Sequence, residues 1–282
     1  MNRHFPLTAV SLIFGASLSL SALAAERVVS AGAAVTELVV ALQGADKLVA
    51  VDVTSKVPEG MEIPMLGYHR TLSAEGILSM NPDLLVGSDE MGPDATLNII
   101  RQADVEVASL PAAETPDQLL TNIDTLAGLL NSQATAPTLK AKIKQQVTRI
   151  DAAKNQLGRS PRVVFVLLRG DRGARLGGNH TPADMLINLA GGTNVAGFDG
   201  YKSANEETLL ALEPEMILVT KPSMDDDDAA KELIESLPLL AHTPAGKNGH
   251  IVNLPAKALL GGLGPSALDA AEHLAQQMVE IH

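Results

Sequence analysis

Along this chain, short apolar runs rich in β-branched residues alternate with longer stretches whose apolar positions recur every three or four residues. Val28-Val29, Leu48 to Val51, Leu84 to Val86, Val163 to Leu168, Met216 to Val219 and Ile251-Val252 are the short runs. Runs of this kind read as buried strands, and the segments between them read as crossover helices, which together predict an α/β fold with mostly parallel sheets. Between the third and fourth runs, Pro116 to Leu130 and Leu139 to Leu157 both have helical spacing. In the second, Leu139, Ile143, Val147, Ile150 and Leu157 make one apolar stripe. A helix of that length runs about 30 Å, enough to brace two lobes as a rigid spine. A surface helix of a single domain is the alternative.

An internal echo favours two lobes. Ser73-Ala-Glu75-Gly-Ile-Leu-Ser-Met-Asn-Pro82-Asp83-Leu-Leu-Val86 recurs as Asn205-Glu-Glu207-Thr-Leu-Leu-Ala-Leu-Glu-Pro214-Glu215-Met-Ile-Leu218, at a constant offset of 132 residues. Each copy opens on a residue that caps helices well, places an acid two residues later, and uses proline to lead into a strand. A looser echo pairs Thr36-Glu37-Leu38 with Thr181 to Leu186, where Thr181 suits a cap and Pro182 the first helical position. The expected organisation is two Rossmann-like lobes with central, mostly parallel sheets, bridged by a long α-helix: an N-terminal lobe over 25–112, bridging helices over 113–160 and a C-terminal lobe over 161–282.

Residues 1–24 change where that fold begins. Arg3 and His4 precede an almost wholly apolar stretch from Phe5 to Ser21, and Ala22-Leu23-Ala24 supplies small residues for cleavage, so a secretory signal cut near Ala24 is expected. There is no cysteine, which excludes a disulfide, a thiolate metal site and a lipid-modified cysteine. The net charge of −12 disfavours nucleic acid and anionic membrane as partners. The chain has no tryptophan and two tyrosines, Tyr68 and Tyr201.

Chemistry concentrates in Gly67-Tyr68-His69-Arg70, between a proline-containing loop and the helix opened by Ser73. If this segment is extended, Tyr68 and Arg70 share a face and His69 points away. A guanidinium beside a phenol favours phenolate, a ligand suited to ferric iron. His180, just before the Thr181 cap, could reach a cleft or lie solvated. His69, His242, His250, His273 and His282 have no metal-ligand spacing. Gly262-Leu263-Gly264-Pro265-Ser266-Ala267 lies too near the C-terminus for a dinucleotide-binding unit and reads as the entry to a final helix over Ser266 to Glu280. Asp225 to Asp228 reads as a solvated helix start. No serine-elbow, phosphate-loop or zinc-protease motif is present, so the chain is not expected to be an enzyme, a hydrolase with dispersed residues being the distant alternative.

Gly67-Tyr68-x-Arg70-x-Leu72-Ser73-x-Glu75-Gly76 with Asn81-Pro82-Asp83 resembles the haem-binding members of the iron/cobalamin periplasmic-binding family, over essentially the whole chain after residue 24. The resemblance implies a helix-bridged, two-lobed protein, free in the periplasm and working as a monomer, that binds ferric haem b as cargo with no catalytic cofactor. Tyr68 would be the axial iron ligand and Arg70 its hydrogen-bond partner. Some relatives add a histidine from the second lobe, but Leu167-Leu168-Arg169-Gly170-Asp171 offers none, so one protein ligand is expected. Arg169, Arg172, Arg175 and Lys202 are candidates for the propionates, with solvated surface as the alternative, and His180 and Tyr201 are further residues that could face the ligand. Glu75 and Glu207 would dock on arginines of an inner-membrane ABC permease served by its ATPase, with an outer-membrane haem receptor upstream. An acid in a helix's first turn also complements the dipole, so the duplicated position fits either role. Ferric siderophore and cobalamin are the rival cargoes.

Overall fold

The computed structural model describes residues 25–222 and 229–281; the secretory segment expected over 1–24 and the Asp225 to Asp228 run lie outside them. The first sheet holds β1 (Val28–Ala31), β2 (Leu48–Val51), β3 (Leu84–Ser88) and β4 (Glu106–Leu110), all parallel in the order β2-β1-β3-β4. It is flanked by α1 (Ala33–Ala41), α2 (Ala74–Leu78) and α3 (Asp94–Gln102). Strands β1 and β3 are buried throughout, as continuous apolar runs covered on both faces require.

Two helices follow. α4 (Pro116–Leu129) opens on a capping box in which Thr115 and Gln118 satisfy each other's backbone N–H groups. α5 (Ala136–Lys154) has 19 residues and runs about 28 Å, burying Leu139, Ile143 and Ile150 on the stripe read from the sequence.

The second sheet holds β5 (Arg162–Leu168), β6 (Ala174–Gly177), β7 (Thr193–Asn194), β8 (Tyr201–Ser203), β9 (Met216–Thr220) and β10 (Ile251–Asn253), in the order β10-β9-β5-β6-β8 with β7 also on β5. β10, β9, β5 and β7 pair in parallel, and β6 is antiparallel to both neighbours. Its helices are α6 (Pro182–Ala190), α7 (Glu206–Ala211), α8 (Ala229–Ser236), α9 (Pro244–Asn248) and α10 (Pro265–Glu280). The architecture is therefore α/β with two central sheets bridged by a long helix.

α5 packs against α4, α6 and α10, and α10 also meets α1 beside the first sheet. The largest buried cluster accordingly runs unbroken from Val28 and Leu84 through Ile123 and Ile143 to Phe165, Met216 and Leu268. A second tie between the sheets is the glycine-rich entry to α10. Leu263 N–H donates to Ala113 O at 2.6 Å, and a Cβ on Gly262 would sit 2.8 Å from that oxygen. Glu37, on α1, accepts from Ser266 N–H at 2.8 Å and from its hydroxyl, capping α10 from the other half of the molecule. Among the described residues no helix is long and apolar enough to cross a membrane.

Candidate functional site

In an open parallel sheet, ligands collect outside the carboxyl ends of the strands. At that edge of the first sheet stand Gly32 after β1, Asp52 after β2, Glu90 after β3, and Ala112-Ala113 after β4. Asp52 is 1% exposed, yet each carboxylate oxygen is satisfied. Oδ1 accepts from Gly32 N–H at 3.0 Å and Ser55 Oγ at 2.6 Å, and Oδ2 from Thr54 Oγ1 at 2.7 Å, with His69 Nδ1 3.0 Å away. Burial pushes this carboxyl up, but hydrogen bonds from His69, Ser55, Thr54 and Gly32 outweigh it and hold the pKa at about 2.

His69 anchors the loop that carries Tyr68. Residues 69–71 form a single 3-10 turn instead of continuing the extended backbone of Tyr68, so the conditional strand reading does not hold locally. The side chains still divide as expected: His69 is buried, while Tyr68 and Arg70 are exposed. Gly67 enters the loop at φ +80, a conformation favouring glycine. Backbone bonds strap the turn to the segment after β3, Gly92 N–H to His69 O at 3.0 Å and Leu72 N–H to Gly92 O at 2.8 Å. The Tyr68 and His69 rings lie 4.3 Å apart, tilted 55°.

Arg70 gives its guanidinium to Glu90. Glu90 in turn lines a cavity of about 540 Å³ whose other walls are residues 112–116, Gly262, the His180-Thr181 pair that leads into α6, and one side of α6 from Pro182 to Leu189. Both sheets' elements thus contribute to it, and its size falls within the range of small-molecule sites. Sequence reasoning missed Asp52 and Glu90. Asp52, directly after an apolar strand and followed by Thr54 and Ser55, carried a legible signal; Glu90 did not.

The other candidates are more dispersed. His180 sits on the cavity wall, 84% exposed in its side chain, with a left-handed backbone (φ +58) and Nε2 3.8 Å from Asp199 Oδ1. Arg169 is half-buried at the end of β5 and opens the Gly170–Arg172 turn. Tyr201 is half-buried on β8; burial raises its phenol, Arg175 opposes that weakly, and the Arg175 guanidinium carbon lies 5.6 Å from its ring centre. Tyr201 also packs against the main buried cluster. Lys202 Nζ stands 4.5 Å over the Phe198 ring. Glu75 and Glu207 are exposed in the first turns of α2 and α7.

Residues 28–258 match the family model described as periplasmic binding protein. The crystal structure of the periplasmic haem-binding protein HutB of Vibrio cholerae superposes with a TM-score of 0.80 at 39% identity, covering 89% of this chain and 98% of that one. A periplasmic haem-binding protein from Pseudomonas aeruginosa gives 0.80 at 34% identity, over 91% and 93%. A vitamin B12-binding protein of Yersinia pestis is 25% identical over 98% of this chain and 95% of its own length.

Proposed function

The chain belongs to the periplasmic binding protein family, and from that premise we propose that it captures ferric haem and delivers it to an inner-membrane ABC permease and its ATPase. Members of this family carry substrate to such transporters. What supports haem as the cargo is one observation above the rest: Tyr68 stands exposed on a glycine-entered loop anchored by the buried His69–Asp52 pair, and the same loop's Arg70 pairs with Glu90, which lines a cavity built by elements of both sheets. The haem-binding names of relatives at 39% and 34% identity point the same way. Tyr68 is the axial ligand in this reading, and Arg70 stabilises its phenolate. Porphyrin burial supplies most of the affinity, while iron ligation and the propionates set orientation. Arg169, His180 and Tyr201 are second-rank contacts. Residues 25–112 and 161–282 act as the two lobes, 113–160 as the bridge, and 1–24 as the removed signal.

Cobalamin is the second reading, favoured by the chain-length match to the vitamin B12-binding relative. An absorption titration of the purified protein with ferric haem, beside Tyr68→Ala and with cobalamin and a ferric siderophore as competitors, separates them. Saturable one-to-one binding with a tyrosinate-type spectrum, lost in Tyr68→Ala, is expected. Saturation by cobalamin with no haem spectrum would return Tyr68 to an ordinary loop residue.

A further inference from the structure

Gly262, Ala112 and Ala113 line the cavity together with Glu90, so a place where the second half meets the first is also a wall of the space offered to cargo. The chain segments approach closely there. A Cβ on Gly264 would lie 2.8 Å from the Ala34 Cβ, and one on Gly262 would lie 2.8 Å from Ala113 O, so a side chain at either position pushes one half against the other. Glu37 fastens this joint. One carboxylate oxygen accepts from Ser266 N–H at 2.8 Å and the other from the Ser266 hydroxyl. The same carboxylate satisfies one of the unpaired donors at the start of α10, where an acid also complements the helix dipole.

The first-half side of the joint is tied to the Tyr68 loop. Ala34 and Glu37 lie on α1, and Gly32, at the start of that helix, donates its N–H to Asp52 Oδ1 at 3.0 Å. Asp52 Oδ2 in turn lies 3.0 Å from His69 Nδ1. The second-half side continues into α10, which packs on α6, and α6 forms a facing wall of the cavity. An unbroken run of contacts that does not pass through α5 therefore sets the spacing between the Tyr68 loop and the second half's wall.

We propose that Glu37 is a positioning residue for cargo capture: through Ser266 it holds the second half's wall at the spacing that cargo needs before cargo arrives. A cavity preset in this way loses no binding energy to ordering the two halves. A loosened joint leaves part of the population at the wrong spacing and weakens the apparent affinity in proportion to the competent fraction. This inference rests on the haem reading for the identity of the cargo; the spacing itself is measured with no cargo present.

The chain has no cysteine, so Gln102→Cys on α3 and Glu235→Cys on α8, both exposed, place one spin label on each half. Electron–electron distances for this pair, with and without ferric haem, are compared in the otherwise unaltered protein and in Glu37→Ala, Glu37→Gln and Gly264→Ala. With Glu37 in place a narrow distribution is expected, which ferric haem leaves where it is. Glu37→Ala should broaden the cargo-free distribution, haem should narrow it again, and haem affinity should fall about three- to tenfold, the factor by which the competent fraction drops. Glu37→Gln, which keeps an acceptor oxygen for Ser266, should recover most of that affinity. Gly264→Ala, whose Cβ meets Ala34, should shift the cargo-free distribution without touching Glu37. A merely structural contact would lower the urea midpoint and leave the distances in the folded protein narrow and unshifted. That result in both Glu37→Ala and Gly264→Ala, or a broadened distribution with undiminished haem affinity, would overturn the proposal. Absence of ferric haem binding by the unaltered protein would instead overturn the haem reading, and the cargo-free distances would still decide whether Glu37 sets the spacing.

Discussion

The two halves of the molecule contain the same helix–strand unit, held by the same bonds. In the first, Arg27 donates through Nε to Asn81 O at 2.7 Å and through Nη2 to Met80 O, while Asp83 accepts from Glu26 N–H at 2.9 Å and Arg27 N–H at 3.1 Å. In the second, Arg162 donates to Glu213 O at 3.4 Å and Leu212 O at 2.6 Å, while Glu215 accepts from Arg162 N–H at 2.9 Å and pairs with Arg159. Asn81 and Glu213 even share a left-handed backbone, at φ +46 and +43. The segments leading into the two helices differ. Before α7 the chain is a strand, β8, held by its ladder to β6. Before α2 it is the Tyr68 turn, which has no ladder and is held instead by buried His69 and Asp52. A regular ladder leaves Tyr201 half-buried, whereas the turn leaves Tyr68 exposed. The helix–strand unit is duplicated and the turn that carries Tyr68 is not.

The largest effect should come from removing the anchor that the second half lacks. Asp52→Ala strands the Gly32, Thr54, Ser55 and His69 donors in the interior, which costs about 3 kcal/mol in urea unfolding. Hydrogen exchange should then quicken over residues 66–72 and stay unchanged over 201–205. Equal loosening of both segments would contradict a loop-specific anchor.

Acid should act on the same difference. The Asp52 pKa falls from an ordinary 3.8 to about 2 on folding. The unfolded chain therefore takes up the proton first as pH drops, and the stability this carboxylate contributes is complete above pH 4 and lost on the way down to pH 2. That contribution is about 2 kcal/mol. Unfolding free energies from pH 5 to pH 2 should show this limb in the wild type and a shallower one in Asp52→Asn.

Arg27→Ala and Arg162→Ala test the sameness of the units. Each removes two bonds to carbonyls of the turn that follows α2 or α7, and each should cost about 1 kcal/mol, with the two values agreeing within about 0.5 kcal/mol. A cost confined to one half would mean that the echoed bonds differ in weight.

The duplication was legible because it depends on local chemistry. A capping residue, an acid in the first turn and a proline before an apolar run are visible in any sequence, and Ser73, Asn205 and Thr181 all cap as expected, accepting from Gly76, Thr208 and Asp184 N–H. The Thr36 echo was looser than it looked: Thr36 lies inside α1, bonded to Ser30 and Ser55, where Thr181 is a cap. Strand β4 escaped notice because its pattern is half exposed, and β8 because three residues carry too little signal. Asp52 and His69 stand 17 residues apart, and Arg70 and Glu90 stand 20 apart. Such pairs are created by the sheet that brings strand ends together, so no spacing rule along the chain finds them.

The smallest effect on the fold, and the most telling for function, should come from Glu75 and Glu207. Both are exposed acids in the first turns of equivalent helices, so replacing either with alanine removes a dipole contact and should change stability by no more than about 0.5 kcal/mol. If the pair serves as permease contacts, the price of losing it appears elsewhere. ATP hydrolysis by the permease–ATPase complex in liposomes, stimulated by the loaded protein, should weaken several-fold with either substitution and fall to the unstimulated rate with both, while haem affinity stays at the wild-type value. Undiminished stimulation by the double variant would leave the two acids as helix-start residues, repeated because the unit that contains them was repeated.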